Sequence, residues 1–387
     1  MTQLATVWLV YQLTNSAFML GIVGFTSQIP SFVLAPFGGV VIDRWNTHRI
    51  LVTTQTLAMI QSLALAVLAL THVINIWQII GLSLFQGLIN AIDAPARQTF
   101  VKEMVDRKED LSSAIALNSS LVNGGRLIGP AIAGIVIARV GSGYCFLIDG
   151  LSYIAVIAAL LAMRLRSKQE IVQTANPWER VKEGFSYAFG FSPIRSILLL
   201  LALFSLMAMP YITLMPIFAT KVLHGGAHTL GFLMAASGVG ALCGGIYLST
   251  RKTVLGLGKV IASAPAICGV GMIIFALSHF LWLSLLTSLL IGLGSILAIA
   301  SSNTVIQTIV EDDKRGRVMS LFTMSFLGMV PFGNLFAGSL ASKIGAPSTF
   351  IIGGGFCILG SLLFRTQLPQ IRILVKPIYT KAGILPR

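Results

Sequence analysis

The chain has 387 residues, of which 55% are hydrophobic and only 10% charged, with a mean hydropathy of +0.86. Soluble domains carry roughly a quarter of charged residues, so an ordinary soluble enzyme or binding module is excluded and many membrane-spanning segments are expected. The net charge of +14 is read accordingly as basic loops facing the cytoplasm, not as a nucleic-acid surface.

The first stretch, MTQLATVWLVYQL, is shorter than the roughly 20 residues a span needs and lacks the basic start of a signal peptide. It reads as the outer half of a helix whose beginning is absent. Apolar runs of spanning length then follow at 19–42, 49–71, 76–97, 112–138, 143–163, 195–220, 228–249, 256–277, 282–307, 318–341 and 347–365. With the partial first helix they make twelve. Of the 27 Lys and Arg, 23 fall in or at the edges of alternate connections, 43–49, 97–111, 164–194, 250–259, 308–317 and the tail after 365. That distribution places those connections inside. The longest of them, 164–194, divides the chain into an N-terminal half (1–163) and a C-terminal half (195–365), with a cytoplasmic tail at 366–387. Within it Trp178, Val181, Phe185 and Ala188 recur at helical spacing, as in an amphipathic helix lying on the inner membrane surface or a solvated linker helix.

The halves echo each other. Leu20-Gly21 opens the second span and Leu230-Gly231 the eighth; Gln98-Thr99 follows the fourth and Gln307-Thr308 ends the tenth. Parallel repeats of six helices are a transporter layout with a central site between the halves.

Two motifs carry more. The connection after the second span reads GGVVIDRWNTHRI, with Gly39, Asp43, Arg44 and Arg49. It resembles the signature loop of the major facilitator superfamily, G-x-x-x-D-R-x-G-R-(R/K), departing from it at Asn46, Thr47 and His48. Asn tolerates a left-handed backbone better than most residues, so the turn survives. The fifth span reads NGGRLIGPAIAG, with Gly125, Arg126, Gly129, Pro130 and Gly134. It is similar to the antiporter motif of the same superfamily; close packing of Gly and Pro is the plain alternative. DAPARQTFVKEMV (93–105) and DDKRGRVMSL (312–321) resemble its bacterial drug, macrolide and siderophore exporters. The resemblance implies an all-α, twelve-helix, two-lobed fold whose first helix is truncated, in the bacterial inner membrane. It also implies alternating access, an amphipathic small-molecule substrate, protons as the coupling ion, contact with membrane lipids and a monomer. No cofactor, metal or nucleic-acid partner is expected, and not an enzyme: no P-loop occurs, and HGGAH (His224, His228) is interrupted by two glycines. Gln86-Gly87 is present, but Ser83 occupies the position where proton-coupled relatives often carry Arg.

Three ionisable residues fall in or at the edges of spans, Asp93, Arg126 and Asp149. A charge at mid-membrane costs at least about 2.5–3.5 kcal/mol, so each needs a partner or a wet cavity. Arg126 is a cavity charge for anionic substrate groups or a structural Arg on neighbouring carbonyls. Asp149 is a proton carrier or a polar contact fixing two helices. The family resemblance pairs Asp93 with Arg44 or Arg49 in a gate, and sets Asp43 beside the start of the eleventh helix after Arg317. An uptake carrier of the same fold, or a membrane receptor or enzyme without transport, are the other readings. GVGALCGG (238–245) lies within a span and is read as helix packing, and the four cysteines as buried small hydrophobes.

Overall fold

The computed structural model describes residues 1–34, 46–104, 111–163, 185–251, 253–311, 314–381 and 384. These are almost entirely helical, and ten segments are long and apolar enough to cross a membrane. They divide into two compact units, residues 1–174 with 224–235, and residues 175–223 with 236–387.

The first unit contains α1 (Thr2–Thr14), α2 (Ala17–Thr26), α3 (Thr47–Leu70), α4 (Ile76–Glu103), α5 (Leu111–Val140) and α6 (Ser142–Ala162). Local chemistry sets their ends. Asn15 takes a left-handed conformation (φ 48°) that closes α1, and Ser16 caps α2 by accepting from the Met19 amide at 3.4 Å. Asn75 and Gln78 form a reciprocal capping box on α4, with both bonds at 2.9 Å. With little hydrophobic drive between helices in lipid, association relies on close packing and interhelical hydrogen bonds. The antiparallel pair α3 and α6 shows both. Gly143 and Gly150, seven residues apart, make room for Leu70 and Leu63 of α3, which lie where a Cβ would sit. Between them the Ser62 hydroxyl donates to the Phe146 carbonyl at 3.0 Å.

The second unit holds α7 (Ser192–Met207), α8 (Tyr211–Ile217), most of α9 (Ala227–Ser249), α10 (Leu257–Leu277), α11 (Leu281–Ile309), α12 (Arg315–Phe326), α13 (Val330–Ile344) and α14 (Ala346–Lys381). Two expected single spans are interrupted. The 195–220 run breaks between α7 and α8, where Pro210 cannot donate, and ends in a π-helical turn, Phe218–Val222, just after Pro216. The 318–341 run breaks between α12 and α13 at Leu327–Met329, ahead of Pro331. The Ser205 hydroxyl of α7 donates to the carbonyl of Phe326, one of the acceptors the second break leaves without an intrahelical donor. The segment expected as a tail, 366–387, is helical as far as Lys381. α14 runs on for 36 residues, with Leu368, Ile371 and Val375 buried against Ile194, Leu257, Ile261 and Val318.

The glycine-rich stretch of α9 is indeed a packing surface. A Cβ on Gly240 would collide with the Leu289 carbonyl of α11, and one on Gly292 with the Ser237 carbonyl, whereas Gly245 faces open space among the described residues. Cys145, Cys268 and Cys357 are buried as expected; Cys243 is exposed. Of the linker helix, residues 185–190 are helical with Ala188 fully buried and Phe185 half exposed; Trp178 and Val181 lie outside the described residues.

Candidate functional site: polar groups inside the helices

Gly39, Asp43 and Arg44 lie outside the described residues. The part of the loop that is described explains its departures from the family pattern. Asn46 caps α3, its side-chain oxygen accepting from the Arg49 amide at 3.2 Å. The His48 ring lies 2.7 Å from the Leu160 carbonyl, near the end of α6, an acceptor that also takes the Met163 amide at 3.2 Å. Asn46 thus closes the start of α3, and His48 ties it to α6. The eleventh span begins at Arg315.

Asp93 is buried on α4, and three donors converge on its carboxylate. Thr54 Oγ1 (2.8 Å) and Gln55 Nε2 (2.7 Å) of α3 meet Oδ1; the Arg97 guanidinium (2.7 Å), one turn further along α4, meets Oδ2. Its cation among the described residues is Arg97; Arg44, one of the two expected partners, lies outside them. Arg97 itself is 56% exposed at its side chain. Nothing in a single sequence selects Thr54 and Gln55 from the other polar residues of α3, but the four-residue spacing of Asp93 and Arg97 on one helix was legible.

Asp149 of α6 is half-buried and accepts from the Ser62 hydroxyl at 3.1 Å. The single proton of that hydroxyl is shared with the Phe146 carbonyl at 3.0 Å, and Asp149 sits in the packed seam of α3 and α6. Its bonded partner there is a neutral hydroxyl, and no ion pair to it occurs among the described residues. Arg126 lies on α5, its side chain outside the described set.

The glycines of the antiporter-like stretch play unequal parts. Gly125 and Gly129 face open space among the described residues. Gly134 does not: a Cβ there would lie 2.8 Å from the Gly231 Cα and from the Ala227 carbonyl at the start of α9. Reciprocally, one on Gly231 would lie 2.8 Å from the Pro130 carbonyl. Pro130 leaves one acceptor of α5 without its intrahelical donor, and Gly134 lets the backbones of α5 and α9 touch. Ser83 is buried, and Gln86 donates to Asn90. His224 stands exposed in the turn before α9 and His228 is exposed in its first turn; no cluster fit for a metal occurs among the described residues.

A family model described as transmembrane secretion effector matches residues 1–376. The chain belongs to that family, within the major facilitator superfamily. Its curated relatives span nearly all of it. The staphyloferrin A transporter of Staphylococcus aureus is 27% identical over 94% of this chain and 90% of its own length. The multidrug efflux pump Tap of Mycolicibacterium fortuitum is 26% identical (97% and 94%), and macrolide efflux protein A of Streptococcus pyogenes 21% identical (92% and 89%). Among solved structures, the nucleoside transporter NupG matches with a TM-score of 0.72 at 13% identity, over 94% of this chain and 96% of that one. A bacterial homologue of the human lysosomal transporter Spinster matches with a TM-score of 0.69 at 15% identity, over 100% and 96%. These two speak to the fold. The chain is thus a multi-pass membrane transporter of small molecules, and not an enzyme.

Proposed function

We propose that the protein exports amphipathic small molecules across the bacterial inner membrane by alternating access of its two six-helix halves, driven by protons, with the charged connections on the cytoplasmic side. The observation that carries the exporter reading is the α5–α9 contact. The stretch that resembles the antiporter motif is the one whose Gly134 and Pro130 meet Gly231 backbone to backbone. Relatives named for drug, macrolide and siderophore traffic support the same direction. Asp149 is the proton carrier in this reading: its partner in the α3–α6 seam is the neutral Ser62 hydroxyl, while Asp93 already holds Arg97. Arg126 is the contact for anionic groups of the substrate in this reading, and Gly39, Asp43, Arg44, Arg49 and Asp93 belong to the inner gate.

The test is gradient-driven flux in proteoliposomes of purified protein, with a panel of dyes, a macrolide and a siderophore. Export is expected to follow an imposed pH gradient and to persist without that dependence in Asp149→Asn. Flux of none of the compounds rejects the exporter; unchanged gradient dependence in the variant rejects Asp149 as the carrier.

A further inference from the structure

Helices α1 to α14 contain only three carboxylates, and one of them, Glu103, is the last residue of α4. The other two are Asp93 and Asp149. Both are turned into packed seams of the first unit, Asp93 under three donors and Asp149 under the Ser62 hydroxyl. Asp93 is thereby closed to a solute, and Asp149 lies on α6, off α4 altogether.

What α4 does offer is donors. Gln86, Asn90, Asp93 and Arg97 are spaced four, three and four residues apart and fall on one stripe of the helix. Asn90 is exposed, Gln86 half-buried with its amide on Asn90 Oδ1 at 3.0 Å, and Arg97 exposed. Asn90 stands at the middle of α4, which spans Ile76–Glu103. An exposed amide at the middle of a spanning helix faces water, because in lipid its donors and acceptors would go unmet. Asp93 engages one guanidinium nitrogen of Arg97, and the exposed remainder of that planar fork suits a carboxylate.

We infer that the Gln86–Asn90–Arg97 stripe is a solute-contact surface selective for acceptor-rich, carboxylate-bearing molecules over lipophilic cations, with Arg97 as the contacting cation. The inference rests on the transporter reading and narrows its substrate class. A lipophilic cation meets like charge at Arg97; a carboxylate finds a pre-set guanidinium and a side-chain amide.

The experiment uses full-length protein carrying Cys243→Ala, which removes the exposed native thiol, with Asn90→Cys or, one turn away, Gln86→Cys as reporter. A membrane-impermeant sulfonate thiol reagent is applied to both faces of reconstituted vesicles, with citrate or tetraphenylphosphonium as competitor. Labelling from the aqueous phase is expected. Citrate at about ten times its Kd should slow it about tenfold, the free-site fraction that mass action leaves. Tetraphenylphosphonium should leave it unchanged, and Arg97→Gln should abolish the protection, with Arg97→Lys retaining part of it as the charge-conserving control. Repeating the series in phosphatidylcholine alone and with phosphatidylglycerol separates a solute site from a lipid-headgroup site: slowing by the anionic lipid without citrate overturns the inference. Absence of labelling at both reporter positions, protection by the cation, protection by neither compound, or protection that survives Arg97→Gln overturns it as well. If flux of other compounds continues while citrate fails to protect, the substrate class is wrong and the exporter reading stands; if no flux is seen at all, that reading itself fails.

Discussion

Replacing Asp93 by alanine removes the acceptor on which α3 and α4 converge. Thr54 keeps a second acceptor, the Leu51 carbonyl at 3.1 Å, so it is only partly orphaned. The Gln55 amide is buried and loses its partner, at a cost of about 1–3 kcal/mol. The Arg97 contact adds no more than about 1 kcal/mol, because that side chain is over half exposed and rehydrates. Asp93→Ala should therefore cost about 1–4 kcal/mol. Asp93→Asn keeps a neutral acceptor for Thr54 and Gln55 and gives up only the charge, so it should cost about 1 kcal/mol. Reversible unfolding of purified protein in mixed micelles, titrated with SDS and followed by circular dichroism, measures both. Equal destabilisation by the two variants, or neither departing from wild type by more than about 0.5 kcal/mol, would refute the convergence of donors as the source of the stability.

The glycine contacts make sharper contrasts. Gly240→Leu should abolish recovery of monodisperse protein by size-exclusion chromatography, since its Cβ already meets the Leu289 carbonyl, while Gly245→Ala should elute as wild type. On α5, Gly134→Val should abolish transport or folding because it pushes on the Gly231 backbone, whereas Gly129→Ala, with open space around it, should retain flux in proteoliposomes. At the start of α3, Asn46→Ala should cost about 1 kcal/mol in the same SDS titration, and Asn46→Gly only a few tenths.

Legibility in the sequence followed the range of the interactions concerned. Spanning length, basic-loop bias and the two motifs are local patterns, and they located the helices and the family. The packing role of residues 238–245 was also local, since glycines inside a span have little else to do there. The partners of Asp93 and Asp149 were not: Thr54 and Ser62 lie 39 and 87 residues away, and nothing in one sequence selects them. The last helix continues past Arg365, beyond the apolar run, as far as Lys381. The spacing of Leu368, Ile371 and Val375, three and four residues apart, was the available signal that the helix continued. Pro210, Pro216 and Pro331 likewise marked the interruptions of the seventh and eleventh spans, which hydropathy windows smooth over.

Those two interruptions have a mechanical meaning. α7 meets α12 through the Ser205 hydroxyl on the Phe326 carbonyl, and α8 is tied to α13 by the Thr213 hydroxyl on Asn334 Oδ1 at 2.9 Å. Gly333 brings α13 onto the Leu206 carbonyl between these two bonds. Bending an intact helix ruptures its own ladder; here the ladder is thinned to turn bonds such as the Tyr211 amide on the Ala208 carbonyl at 3.1 Å, and one acceptor freed by the second break is held from the side. The second unit therefore carries a crease across two neighbouring helices at matching depth, with one cross-tie on either side of it. A crease of this kind is where bending of the unit costs least, with each cross-tie joining the two segments on its own side.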